Sequence, residues 1–215
     1  MRLLEKQQAL EAGIKSLELD CSSKQVDQLL KYLEMLERWN KAFNLTAIRD
    51  PIQMVRLHLL DSLAIHPYIQ GVERIIDVGT GPGLPGIPLA ILNPEINFTL
   101  LDSNGKKTRF LFQAINDLAL ANATEVNQRV ETYQAKQQFD IVLSRAFSSL
   151  SDMLSQCEHL LLDKGCFLAM KGKKPDSELS QITKVYKVVD LLEVYVPHID
   201  SERHLIKIIK TGDST

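Results

Sequence analysis

Nowhere in this chain of 215 residues do 18 apolar residues run together, so no membrane-spanning helix is expected. Met1-Arg2-Leu3 is followed at once by acidic and glutamine residues, and the blocks of a secretory leader are missing. Cysteine is scarce and odd in number. Cys21, Cys157 and Cys166 lack C-x-x-C spacing, which argues against a zinc site and for buried thiols in a reducing cytoplasm. The five histidines (His58, His66, His159, His198, His204) show no ligand spacing either, so no metal is expected. Neither sign of charge dominates, the formal net charge being −2. Internal repeats and low-complexity tracts are absent. The remainder, 45% hydrophobic and 24% charged, is ordinary for a globular protein long enough to bury one large core or one medium and one small.

Against these absences one stretch stands out, R-I-I-D-V-G-T-G-P-G-L-P-G, Arg74 to Gly86. An apolar run of strand type (Ile75, Ile76, Val78) enters a turn carrying Gly79, Gly81 and Gly83, where missing Cβ atoms let the backbone approach a ligand. Pro85 suits the first turn of a following helix. A second apolar run ends in Asp102, where doubly wound folds place the carboxylate that grips a ribose diol. A nucleoside-bearing cofactor is expected there. Gly81 to Gly86 matches G-x-G-x-x-G, so an NAD(P) or FAD oxidoreductase of Rossmann type stays open. Two details point elsewhere: Asp77 precedes the first glycine, and Pro82 removes an amide N–H from the loop that would hold a pyrophosphate. Acid-x-Gly-x-Gly-x-Gly resembles the first motif of the S-adenosylmethionine-dependent methyltransferases, whose ligand is cationic and carries no phosphate.

Periodicity divides the chain near residue 70. Leu3, Leu10, Ile14 and Leu17 recur at helical spacing. Ser22-x-x-Gln25 reads as a capping box opening a second helix. Asp50-Pro51 reads as an N-cap and first helical residue of a third, which Pro67 should stop. Strands at 74–78, 97–101, 123–127, 139–143 and 166–170 then alternate with helices at 84–92, 105–121, 150–162 and 175–186, as in a parallel sheet covered on both faces. Runs at 188–196 and 204–209 suggest a final antiparallel hairpin. The expectation is a doubly wound α/β fold, with a helical subdomain at 1–70 and a cofactor-binding domain at 71–215.

This order looks like the seven-stranded class I (Rossmann-like) methyltransferase sheet with an N-terminal helical extension. Further strings narrow it: N-L-T-A-I-R-D-P from Asn44, H-L-L-D-S-L from His58, the glycine loop from Asp77, L-L-D-S from Leu100, R-V-E from Arg129, F-D-I-V-L-S-R-A-F from Phe139 and A-M-K-G from Ala169. Together they resemble the RsmG (GidB) family, bacterial methyltransferases acting on N7 of a guanine in 16S ribosomal RNA. The resemblance implies a cytoplasmic, metal-free enzyme, expected as a monomer, that takes S-adenosyl-L-methionine and acts on 16S RNA or the small ribosomal subunit. Gly79, Gly81, Gly83 and Leu84 would pack against the methionine part, Asp102 would accept from the ribose, and Val130 and Glu131 would meet the adenine. Asp77 would either help hold the cationic end or cap the loop's own amides. Arg145 would face the reaction centre or the RNA as the catalytic residue, or else pair with one of these carboxylates.

The acceptor atom can also be approached by elimination. S-R-A-F stands where amine-methylating enzymes carry an N/D-P-P-aromatic string, and Cys157 and Cys166 read as core and not as nucleophiles for pyrimidine C5. The lysine–aspartate–lysine–glutamate set of ribose methylation cannot be assembled. A free lone pair such as guanine N7 remains, or a different RNA or small molecule as acceptor. Nucleic acid needs a local basic patch. Lys164, Lys171, Lys173, Lys174, Lys184 and Lys187 face only Asp176 and Glu178 in that stretch, and Lys171, Lys173 and Lys174 follow a strand at the ligand edge. Lys106, Lys107 and Arg109 form a smaller group that reads equally as a solvated helix face.

Overall fold

The computed structural model describes residues 2–145, 147 and 149–211. Seven strands form one sheet: β1 (Arg74–Val78), β2 (Asn97–Leu101), β3 (Ala123–Val126), β4 (Phe139–Ser144), β5 (Leu161–Lys171), β6 (Tyr186–Glu193) and β7 (His204–Lys210). Their order is β3-β2-β1-β4-β5-β7-β6, with β7 antiparallel to both neighbours. The dinucleotide-binding order 3-2-1-4-5-6 has no such inserted strand. Strand order, and not chain direction, reverses between β1 and β4, which run parallel on either side of the switch point with Asp77 opposite Leu143.

Both faces of the sheet are covered, so the central strands read as unbroken apolar runs. Ile75, Leu143 and Leu168 join one core cluster and their neighbours Ile76, Val142 and Phe167 the other, as the two-residue period of a strand requires. The first cluster packs under α1 (Arg2–Ser16), α2 (Ser23–Phe43), α5 (Gly86–Leu92) and α6 (Gly105–Asp117); the second under α7 (Leu150–Cys157). Helices before residue 70 thus share a continuous core with the sheet after it.

The capping box at Ser22 and Gln25 forms as read, and Asp50 caps α3 (Pro51–Met54) with Pro51 in its first turn. The third helix differs in kind. It continues as a π-helical segment, Val55–Leu60, before α4 (Asp61–Leu63), and Pro67 sits inside a short 3₁₀ turn, His66–Ile69. Other boundaries move too. Helix α5 starts at Gly86 with Pro85 as its N-cap, and α7 gives way at Cys157 to a 3₁₀ turn. The expected helix at 175–186 shrinks to α8 (Asp176–Leu179). No helix among the described residues is long and apolar enough to cross a membrane.

Candidate active site

The glycine loop is tied down by short local bonds. Gly79 N and Thr80 N both donate to the Leu101 carbonyl, at 2.9 and 3.1 Å. Gly83 takes φ +97°, a conformation costly for any side chain, and a Cβ there would collide with Ile87 and Leu111. Beneath the loop the fully buried Asp77 accepts through Oδ2 from Thr80 Oγ1 at 2.6 Å and from Gly86 N at 2.9 Å. Its Oδ1 is buried without a partner, and burial pushes the carboxyl up to about 6. Asp77 therefore holds the loop from below through one backbone amide and one hydroxyl.

Asp102, just past β2, accepts from Gly81 N through Oδ2 at 2.9 Å and from Asn104 N through Oδ1 at 2.8 Å. Lys107 Nζ lies 3.6 Å from Oδ2. A carboxylate offers about four acceptor sites, so capacity remains for a ligand. It lines a cavity of about 270 Å³ with Val78, Gly79, Val130, Glu131 and Phe147. Of the residues expected at a cofactor, the structure brings Gly79, Asp102, Val130 and Glu131 onto this cavity. Gly81 reaches it through Asp102, whereas Gly83 and Leu84 are buried within the loop and shape it.

A second cavity, about 380 Å³, opens beside the first. Arg145 follows β4 and lines this cavity, while Phe147 lines the other. Ala146 of the S-R-A-F string lies outside the described residues. Arg145 pairs with none of the three carboxylates named for it; its partner is Asp61, Nη1 to Oδ2 at 3.1 Å, and it also donates to the Leu57 carbonyl at 3.4 Å. Arg203 Nε binds the other oxygen of Asp61 at 2.7 Å. Sequence reasoning missed both Asp61 and Arg203. Asp61 lies in the H-L-L-D-S-L string without a role attached, and Arg203 carries no local signal.

His58 completes this wall. Nδ1 lies 3.1 Å from the Leu57 carbonyl, so it must donate, which leaves Nε2 to accept from Thr46 Oγ1 at 2.9 Å. Burial, then the nearby Arg145 guanidinium, pushes the imidazole down to about 4, and it stays neutral at neutral pH. Lys171 is largely spoken for: Nζ donates to Glu178 at 2.9 Å and to the Phe147 carbonyl at 3.3 Å. Lys174 pairs with exposed Asp176, and Lys173 is exposed. Cys157 and Cys166 are buried, and burial pushes the Cys157 thiol up to about 12. No group of three potential metal ligands occurs among the described residues.

The sheet has known counterparts. The chain superimposes on TrmK of M. capricolum, solved with S-adenosyl-homocysteine, with a TM-score of 0.57 and 15% identity over 70% of this chain and 67% of that one. It matches the glycopeptide N-methyltransferase MtfA with a TM-score of 0.59 and 11% identity, covering 71% and 94%. The fold is that of the class I (Rossmann-like) methyltransferases. In sequence it is 51% identical over 201 residues to a ribosomal RNA small subunit methyltransferase G of Shewanella sp. (strain W3-18-1), spanning 94% of this chain and 97% of that protein. A second, from Psychromonas ingrahamii, is 50% identical over 208 residues, spanning 97% and 99%. With its residues 25–206 matching that family throughout, the chain belongs to GidB, rRNA small subunit methyltransferase G.

Proposed function

We propose that this chain transfers a methyl group from S-adenosyl-L-methionine to N7 of a guanine in 16S ribosomal RNA, on the free RNA or in the small ribosomal subunit. The observation that carries this reading is the pair of cavities at the carboxyl edge of the sheet, one lined by Arg145 and the other by Phe147, in a member of the GidB family. Residues 1–70 serve as a helical subdomain on the cofactor-binding domain 71–215, and the enzyme works as a monomer in the cytoplasm, where its RNA is.

The residues present fit the cofactor. Carboxylates of Asp102 and Glu131 line the first cavity, which suits a cationic sulfonium ligand with a ribose diol. A pyrophosphate would find little there: Pro82 and Pro85 have no N–H, and Gly86 N is already given to Asp77. Asp102 would accept from the ribose hydroxyls, Val130 and Glu131 would meet the adenine, and Gly79, Gly81, Gly83 and Leu84 would shape the bed of the methionine part. Asp77 would hold that bed and favour the cationic end. When bound, S-adenosylmethionine supplies an electrophilic methyl group on a cationic sulfur.

The chain's own work is alignment. Guanine N7 carries a free lone pair, so no proton must leave. On the wall of the second cavity both nitrogens of His58 are engaged and Asp61 is held by two guanidinium groups. Positioning alone can supply on the order of 7–11 kcal/mol at best. Arg145, on the wall of the second cavity, would place the base or its phosphate. Purine N7 faces the deep, narrow groove of A-form RNA, so the acceptor must be unpaired or flipped out. Lys173 and Lys174 would meet phosphates, the exposed Lys174–Asp176 pair being worth about 0–1 kcal/mol and easily exchanged; Lys171 would join them from its place against the loop. Tritiated methyl transfer to small ribosomal subunits and to their RNA, with mapping of the labelled nucleoside, tests the reading. Label in N7-methylguanosine supports it, and no transfer, or binding of NAD(P) instead, counts against it.

A further inference from the structure

We propose that Asp61 is the residue that selects guanine: in the second cavity its carboxylate accepts hydrogen bonds from N1–H and the 2-amino group of the acceptor base. The proposal rests on the methyltransferase reading above and adds to it the group that reads the base.

Asp61 sits directly after the π-helical segment Val55–Leu60, a local geometry that costs hydrogen-bond regularity and recurs at functional sites. Its side chain is 5% exposed yet lines a cavity whose volume, about 380 Å³, lies in the range of small-molecule pockets. Ile48, Ile65, Val194 and Val196 give that cavity apolar walls fit for a planar heterocycle. Each carboxylate oxygen takes one arginine, leaving about two of four acceptor sites open. His204, also on the wall, has a buried Nδ1 with no partner.

Charge and donor pattern narrow the occupant. Two guanidinium groups on one carboxylate, beside a neutral His58, leave a surplus positive charge, which a nucleotide phosphate would offset. Guanine presents two adjacent donors on its Watson–Crick edge, matching a carboxylate, whereas adenine presents an acceptor at N1 and would be repelled. The chemistry favours the same contact. As the N7 lone pair forms the new C–N bond, the electron pair of the methyl–sulfur bond returns to sulfur, no proton leaves, and the purine becomes a cation. Its N1–H and amine then donate more strongly, so the bond to Asp61 is stronger in the transition state than before it.

Single-turnover methylation of RNA with guanosine or inosine at the accepting position tests this, since inosine lacks the 2-amino group. Wild-type protein should methylate guanosine about ten- to a hundredfold faster, the worth of a hydrogen bond to a charged group. Asp61→Asn should bring guanosine down towards the inosine rate and change the inosine rate much less, with S-adenosylmethionine affinity unaltered. Equal losses on both RNAs would mean that the carboxylate only holds the arginines, and the proposal fails while the activity stands. Should the variant not fold, the wild-type comparison decides, because equal rates on the two RNAs overturn the proposal. No transfer by wild type to guanosine-bearing RNA or subunits overturns the activity reading and this inference with it.

Discussion

Asp77 and His58 are both buried, and burial moves them in opposite directions. The Asp77 carboxyl goes from 3.8 up to about 6, so between those values the folded protein keeps a proton that the unfolded chain has lost. Its contribution is complete below pH 4 and falls away as pH rises to 6, by about 3 kcal/mol at 1.36 per unit. His58 goes from 6.5 down to about 4, so the unfolded chain takes up a proton that the folded one refuses, and stability falls as pH drops through that window. In urea unfolding, Asp77→Asn should gain on wild type as pH rises from 4 to 6, and His58→Gln as pH falls from 6.5 to 4. Differences that stay flat with pH would contradict both. Asp102 belongs to the same scale: Asp102→Ala should weaken S-adenosylmethionine binding by roughly 1.5–3 kcal/mol in calorimetry, the protein remaining folded. Unchanged affinity would remove it from the site.

Helix α2 ties the N-terminal helices to the cofactor loop. Gln25 donates to the Ile91 and Leu92 carbonyls at the end of α5, Gln28 to Leu118 at the end of α6, and the buried Tyr32 hydroxyl to the Pro82 carbonyl inside the loop at 2.9 Å. Tyr32→Phe leaves that carbonyl unpaired in the core, a loss of about 1–3 kcal/mol. Cofactor affinity should fall several-fold while RNA affinity holds; an unmoved cofactor constant would show that the loop needs no such tie. Lys171 and its neighbours should separate likewise. Lys171→Ala should lower the melting temperature by releasing the Phe147 carbonyl and Glu178, whereas Lys173→Ala with Lys174→Ala should flatten the salt dependence of RNA binding by up to about 0.7–0.9 per lost contact. Elements with strong local signals were legible: β1 and β2 fall at 74–78 and 97–101 as their apolar runs predict. Where tertiary packing decides, they were not. Helix α6 stops at Asp117 because Ala119 turns left-handed, at φ 53°. Leu179 and Ile182 look helical in spacing, yet they pack from a four-residue helix and from the irregular chain just after its closing turn. Nothing in the sequence marks the π-helical segment.

Across the whole molecule the site divides by sequence distance. The cofactor side is built from segments with local signatures, a glycine loop and strand-end acids, and was readable from the chain. The acceptor side is built from pairs that only the fold brings together: Asp61 meets Arg145 and Arg203 across separations of 84 and 142 residues. Arg145 and Lys171 were readable there, from their places at the ends of β4 and β5, and the partner of Arg145 was not. The two-cavity account requires the methyl group to go to a neutral ring nitrogen with no proton removed. The most direct measurement is single-turnover transfer to substrate RNA carrying guanine or 7-deazaguanine at the accepting position, followed across pH. The account predicts transfer to guanine with no rise in rate assignable to a general base, and none to the 7-deaza analogue, whose ring lacks the acceptor atom. Methylation of 7-deazaguanine RNA would contradict it, even with fold and cofactor unchanged.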